Sequence, residues 1–172
     1  HDAVLSGPAG GVLATHAVAR LAGIRHAVGL DMGGTSTDVC LVDTAREPPR
    51  REGDLEVAGV RLRRAMLEVE TIAAGGGSIL ACDPRVDARP SVGPHSAGVD
   101  PGPQCYGRGG PPTVTDAALL AGLLDPQAFP FALHPGDVDL PGLDGLLGAD
   151  LARAWLALTR EAMAQAVSRL AM

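Results

Sequence analysis

The sequence predicts an α/β fold, a mixed sheet with flanking helices, and three observations carry that prediction. Ala27–Asp31 and Thr37–Asp43 are short apolar runs on either side of Gly33-Gly34, the pattern of a β-hairpin. Leu55–Leu62 and Leu67–Ile72 read as two further strands, the second alternating Leu67, Val69 and Thr71 against Glu68 and Glu70. Helical apolar spacing precedes and follows them, in 14–21 and 151–170.

In chain order, His1–Leu5 opens without a start methionine, as a piece of a longer chain would. Ser6-Gly7-Pro8 signals a helix start, with Ser6 as cap and proline in the first turn. Ala14, Ala17, Val18 and Leu21 form its expected buried face, and Gly23 stops it. In the hairpin, Val39 and Leu41 share one face while Asp38, Cys40 and Val42 share the other, and Cys40 reads as a buried filler. Thr44–Asp54, with Pro48-Pro49, is a solvated connection. Arg61, Arg63 and Arg64 make either a solvated edge or a phosphate contact.

Gly75-Gly76-Gly77 is a second glycine loop; three glycines are costly to order, so close backbone approach or a very tight turn is required. Asp83–Pro112 is rich in proline and glycine and lacks apolar periodicity, an irregular loop that is either functional or disordered. Its polar and aromatic residues favour order. Ala117–Leu124 is a short helix with Thr115 or Asp116 as cap, Asp116 alternatively reaching a cleft. Asp125–Gly148 is a second Pro/Gly-rich connection, packed down by Leu133, Val138, Leu140, Leu143 and Leu146. Asp150 caps a final helix with a stripe of Leu151, Ala154, Trp155, Leu158, Ala162, Ala166 and Leu170. The expected organisation is one domain: a core in 1–82, the loop 83–112 and a helical part 113–172.

Bulk properties narrow the function. The chain has 172 residues, enough for one real core, but aromatics are only 2%, so that core is built from Ala, Val, Leu and Ile. A net charge of −6 argues against nucleic acid, and no apolar run reaches the length of a membrane span. All 14 basic residues are arginine, which excludes a Walker-type lysine loop or Schiff-base chemistry by this chain alone. Three widely spaced cysteines fit a reducing cytoplasm rather than a disulfide framework.

The chemistry concentrates in Asp31-Met32-Gly33-Gly34-Thr35-Ser36-Thr37-Asp38. Gly33 and Gly34 allow backbone N–H groups to approach an oxyanion, and Thr35, Ser36 and Thr37 add hydroxyl donors. Asp31 and Asp38 would repel a bare phosphate and make sense if they hold Mg²⁺ or orient water beside it. The stretch is therefore read as a phosphate-binding hairpin, against the alternative of a purely structural turn. Gly75, Gly76 and Gly77 would form a second concavity facing the same anion. In the loop, His95, Asp100 and Cys105 are an imidazole, a carboxylate and a thiolate that suit zinc, against the alternative of a loop pinned by its own hydrogen bonds.

The hairpin resembles a phosphate motif of the actin, sugar kinase and heat-shock chaperone ATPase superfamily. Further segments narrow the likeness: Ser6-Gly7-Pro8-Ala9-Gly10-Gly11-Val12, Ala74-Gly75-Gly76-Gly77-Ser78-Ile79, Val92-Gly93-Pro94 with Ser96-Ala97-Gly98, Asp100-Pro101-Gly102-Pro103 with Cys105-Tyr106-Gly107-Arg108-Gly109-Gly110, and Thr113-Val114-Thr115-Asp116-Ala117. Together they resemble the hydantoinase A/5-oxoprolinase family, which includes acetone and acetophenone carboxylase subunits. His95 stands where that family often has glutamate. The likeness runs from Ser6 to Leu124, roughly two thirds of the chain.

The resemblance implies a ribonuclease-H-like fold and an ATP-dependent hydrolase that opens cyclic amides, hydantoins or 5-oxoproline, with Mg²⁺ and a partner subunit of the hydantoinase B type. It also implies that this piece, lacking a first phosphate motif and an adenosine pocket, is inert alone. The alternatives are a ketone carboxylase subunit, a non-catalytic ATP-gated module, or a domain serving only subunit assembly.

Overall fold

The computed structural model describes residues 6–47, 50–57, 60–83 and 89–170, with the side chains of 50–66 outside that description. The expectations for Pro48-Pro49 and for the side chains of Arg61, Arg63 and Arg64 fall outside it. The chain groups into two compact units, one of 1–31, 38–71 and 166–172, the other of 32–37 and 72–165.

In the first unit, α1 (Ser6–Leu21) precedes β1 (His26–Met32) and β2 (Thr37–Asp43). β2 lies between β1 and the short β5 (Glu70–Ile72) in a three-stranded sheet. Gly23, at φ +68°, ends α1: the Ile24 N–H donates to the Ala19 carbonyl at 2.9 Å and the Gly23 N–H to that of Arg20 at 3.2 Å. The face that α1 buries differs from the expected one. Val12 and Ala19 pack with Cys40 and Val42, whereas Val18 and Leu21 are 65% and 89% exposed. The reason is close approach: a Cβ on Gly29 would collide with the Thr15 side chain and with Cys40 Sγ, so the small-residue face of α1 sits directly on the strand. Apolar spacing marked a bulkier face, but only the small one fits.

β3 (Arg50–Val57) and β4 (Val60–Leu67) form an antiparallel ladder with Val57 opposite Val60. The expected strand Leu55–Leu62 therefore falls on two paired strands, with 58–59 outside the described residues, and the expected solvated connection gives way to β3 at Arg50.

In the second unit, β6 (Ser78–Asp83) pairs antiparallel with β7 (Arg89–Ser96). Part of the stretch read as irregular is thus a strand. Pro90, Gly93 and Pro94 hide its alternation, yet a two-stranded ladder tolerates proline because β7 has a partner on one side only. Leu80 of β6 joins a core with Val114 and Ala117 of α2 (Val114–Leu120), Leu140, and Leu151, Ala152 and Trp155 of α3 (Gly148–Leu170). Trp155 is fully buried and its Nε1–H donates to the Pro141 carbonyl at 2.9 Å. Both halves of the side chain are thereby accommodated.

The cap of α2 is Thr113, not Thr115 or Asp116. Asp116 is the third helical residue and closes a capping box back onto Thr113. No helix among the described residues is long and apolar enough to cross a membrane.

Candidate functional site

The turn between β1 and β2 is closed by the Gly33 N–H donating to the Ser36 carbonyl at 2.8 Å. The second glycine loop is bound to this turn. The Gly76 N–H donates to the Gly33 carbonyl at 2.9 Å and the Gly77 N–H to the Gly34 carbonyl at 2.6 Å, while the Gly75 N–H donates to Ser78 Oγ at 2.8 Å. A Cβ on Gly75 would stand 2.7 Å from the Gly33 oxygen and 2.8 Å from the Ser36 nitrogen, and one on Gly77 2.9 Å from the Gly34 oxygen. Gly75 and Gly77 are needed because two backbones touch here, whereas a Cβ on Gly76 would stand 3.0 Å from Thr115 Oγ1.

This revises the expectation that both glycine loops offer N–H groups to one anion. The donors of Gly75, Gly76 and Gly77 are engaged within the protein. Their effect on the turn is orientational. In a trans peptide the C=O and the following N–H point in opposite directions, so tethering the Gly33 and Gly34 carbonyls aims the N–H groups of Gly34 and Thr35 away from the loop. Among the described residues neither N–H has a hydrogen-bond partner, nor do the hydroxyls of Thr35 and Ser36. Thr37 differs from them: it is fully buried and donates to the Ala74 carbonyl at 2.5 Å, so its hydroxyl is structural.

Asp31 and Asp38 line a pocket of about 60 Å³ with Gly11, Thr15, Gly29 and Cys40. Absence of a side chain at Gly29 keeps it open. Thr15 Oγ1 donates to the Gly11 carbonyl at 2.8 Å, and Val12, Leu30, Val39 and Val69 make much of the remaining wall apolar. Asp38 is half-buried and Asp31 exposed. Asp38 Oδ1 accepts a hydrogen bond from Thr71 Oγ1 at 2.6 Å. The pocket is open to solvent on one side and admits small groups such as water.

Among the described residues no three His, Cys, Asp or Glu side chains are placed to hold a metal ion together. His95, Asp100 and Cys105 therefore do not form the zinc site considered from sequence. His95 and Asp100 are exposed, whereas Cys105 is fully buried. Burial and the adjacent Asp116 carboxylate push the Cys105 thiol up to about 12. The loop is pinned instead: Asp116 accepts from the N–H groups of Gln104 at 3.1 Å, Cys105 at 2.7 Å and Thr113 at 2.7 Å, and from Thr113 Oγ1 at 2.8 Å. Tyr106, Phe129 and Phe131 stack edge to face nearby, with Arg108 over two of the rings. Magnesium makes a weaker demand than zinc, since it is commonly held by one or two carboxylates with waters and substrate phosphates. Asp31 and Asp38 fit that pattern.

Thr15 and Thr71 are the polar residues at this site that sequence reasoning did not single out. The alternation in Leu67, Val69 and Thr71 placed Thr71 on a strand face, and nothing local marked its hydroxyl as a partner of Asp38.

The hydantoinase/oxoprolinase family model matches residues 1–143. The chain belongs to this family. It is 41% identical over 138 residues to 5-oxoprolinase 1 of Arabidopsis thaliana, covering 80% of this chain and 10% of that protein. It is 44% identical over 124 residues to caprolactamase subunit alpha of Pseudomonas jessenii, covering 72% and 17%. A crystal structure of the ATP-dependent caprolactamase from Pseudomonas jessenii superposes with a TM-score of 0.70 at 33% identity, over 96% of this chain and 25% of that one. A nucleotide-free structure of acetone carboxylase gives 0.64 at 28%, over 78% and 19%. The mixed α/β arrangement is thus similar to parts of both enzymes. This family member spans between a tenth and a quarter of the length of these relatives.

Proposed function

We propose that the chain is part of an ATP-dependent hydrolase of cyclic amides, such as 5-oxoproline, hydantoins or other lactams, and contributes its phosphate-binding hairpin. The observation that carries this reading is the hairpin itself. Two open N–H groups at Gly34 and Thr35 are fixed by tethered carbonyls, and the carboxylates Asp31 and Asp38 flank that turn in the chain. The names of the relatives, 5-oxoprolinase and ATP-dependent caprolactamase, supply the reaction class.

In this reading the N–H groups of Gly34 and Thr35, with the Thr35 and Ser36 hydroxyls, bind phosphate oxygens. Asp31 and Asp38 hold Mg²⁺ and orient water. Bound ATP supplies the phosphoryl group that activates the amide oxygen. The work of the chain is positioning and charge stabilisation, which is most of what phosphoryl transfer requires. The chain spans only a tenth to a quarter of the length of its relatives, so in this reading the ribonuclease-H-like clamp is completed by other parts of the parent protein, together with a subunit of the hydantoinase B type.

A ketone carboxylase is the second reading, supported by the likeness to acetone carboxylase and by 37% identity over 126 residues to the acetophenone carboxylase gamma subunit of Aromatoleum aromaticum. Phosphate release from ATP by the full-length parent with its partner subunit separates the two. Stimulation by 5-oxoproline, hydantoin or caprolactam, abolished by Asp38→Asn, is the expected result. Release that responds to acetone with bicarbonate and to none of the lactams would reject the hydrolase reading.

A further inference from the structure

We infer that Thr71 is a positioning residue for the Asp38 carboxylate, an inference that rests on the function proposed above. Thr71 sits on β5, the neighbour of β2 in the sheet, and its hydroxyl proton goes to Asp38 Oδ1 at 2.6 Å. Thr71 does not line the pocket, whereas Asp38 does. The contact between them is therefore a way of acting on the pocket through a second residue.

Asp38 is the second residue of β2, and its neighbour Thr37 is tied by its own hydroxyl to the Ala74 carbonyl. Both consecutive residues at the start of β2 thus have a side-chain hydrogen bond, Thr37 to the Ala74 carbonyl and Asp38 from Thr71. A carboxylate rotates about χ2, which is a broad, soft torsion. One short hydrogen bond to Oδ1 selects an orientation and leaves the lone pairs of Oδ2 for a cation or water. No other hydrogen bond to the Asp38 side chain is found among the described residues. Thr71 is exposed, so the interaction is not needed to satisfy a buried hydroxyl. Its placement makes sense as orientation of the acid.

The test uses the full-length parent protein with its partner subunit, carrying Thr71→Val, Thr71→Ser or Asp38→Asn. Valine keeps the β-branched shape and the strand preference and removes only the donor. Groups that orient a metal-binding or catalytic side chain are typically worth about 10- to 100-fold. The expected result for Thr71→Val is a fall in kcat or a rise in the half-saturating Mg²⁺ concentration of that size. The lactam KM and the melting temperature stay close to wild type. Thr71→Ser, which restores the donor, should return to within about threefold. Calorimetric titration of Mg-ATP gives a readout independent of turnover, and Thr71→Val should weaken it by the same factor. Wild-type behaviour of Thr71→Val beside an inactive Asp38→Asn would overturn the inference and leave the function standing. Equal impairment of the valine and serine variants would reduce Thr71 to packing. An active Asp38→Asn would overturn the site assignment and the inference together.

Discussion

The tetrapeptide pattern Thr-x-Thr-Asp occurs twice, at Thr35-Ser36-Thr37-Asp38 and at Thr113-Val114-Thr115-Asp116, and the two copies have opposite fates. In both, the second threonine donates to a carbonyl beside the second glycine loop, Thr37 to Ala74 at 2.5 Å and Thr115 to Gly76 at 2.9 Å. The aspartates then diverge. Asp116 is fully buried and accepts four hydrogen bonds, from Gln104, Cys105 and both donors of Thr113. Asp38 is half-buried, accepts one, and lines a pocket. The residues that follow decide this. Ala117-Ala118-Leu119-Leu120 favours helix, which folds the acid back onto its own cap, while Val39-Cys40-Leu41-Val42 favours strand, which carries it away from Thr35. A carboxylate whose lone pairs are all used holds the fold; one with lone pairs to spare is available for chemistry.

Removing each acid is the largest perturbation, and it should fall on different observables. Asp116→Ala strands four donors away from water, three of them backbone, at a cost of about 3–5 kcal/mol, so denaturant unfolding should show most of the stability of the second unit lost. Asp38→Asn should leave the unfolding midpoint within about 0.5 kcal/mol of wild type and lower lactam-stimulated phosphate release by about 10²–10³, the loss typical for a single electrostatic stabiliser. If Asp116→Ala instead abolished turnover in a protein of normal stability, the contrast between the two copies would be lost.

Gly75→Ala tests what connects the copies to the turn. Its Cβ would meet the Gly33 oxygen and the Ser36 nitrogen, both backbone atoms that cannot rotate aside. The expected cost is about 1–3 kcal/mol of stability. Phosphate release should fall at least tenfold, since a displaced Gly33 carbonyl misdirects the Gly34 N–H. Gly136→Ala is the control, because a Cβ there meets nothing and the residue lies outside the turn. Equal behaviour of the two variants would show that the glycine loop does not orient the turn.

Much of this was legible in the sequence. The hairpin strands, the stop at Gly23, the burial of Cys40 and the anchor Trp155 follow from periodicity and glycine placement, because each depends on neighbours within a few residues. What was not legible depends on partners distant in the chain. The buried face of α1 was set by Gly29, the use of the Gly76 and Gly77 donors by two carbonyls some forty residues upstream, and the role of Asp116 by the turn at Gln104-Cys105. The strand Arg89–Ser96 was hidden by its prolines, since alternation alone carries no information on which side of a strand needs a donor.

Cys105 gives the smallest predicted effect, and a direct check on the environment of Asp116. Its thiol is held up to about 12, against an ordinary 9.0, chiefly by burial and then by the neighbouring carboxylate. The folded state therefore binds this proton more tightly than the unfolded one. The corresponding stability is fully present below pH 9 and is lost as pH rises from about 9 toward 12, where unfolding releases the proton. Tyr106, raised by burial and by its neighbours Cys105 and Asp116, bends stability in the same direction, so the difference between wild type and Cys105→Ala reports the thiol together with its share of the Tyr106 shift. Denaturant midpoints measured from pH 7 to 11 should show the wild type falling more steeply than Cys105→Ala above pH 9 and parallel to it below. At pH 8 in the folded protein, iodoacetamide should modify the half-buried Cys82 well before Cys105. Ready alkylation of Cys105, or parallel curves throughout, would mean that the site around Asp116 is open to water, and the distinction drawn between the two aspartates would then rest on hydrogen-bond count alone.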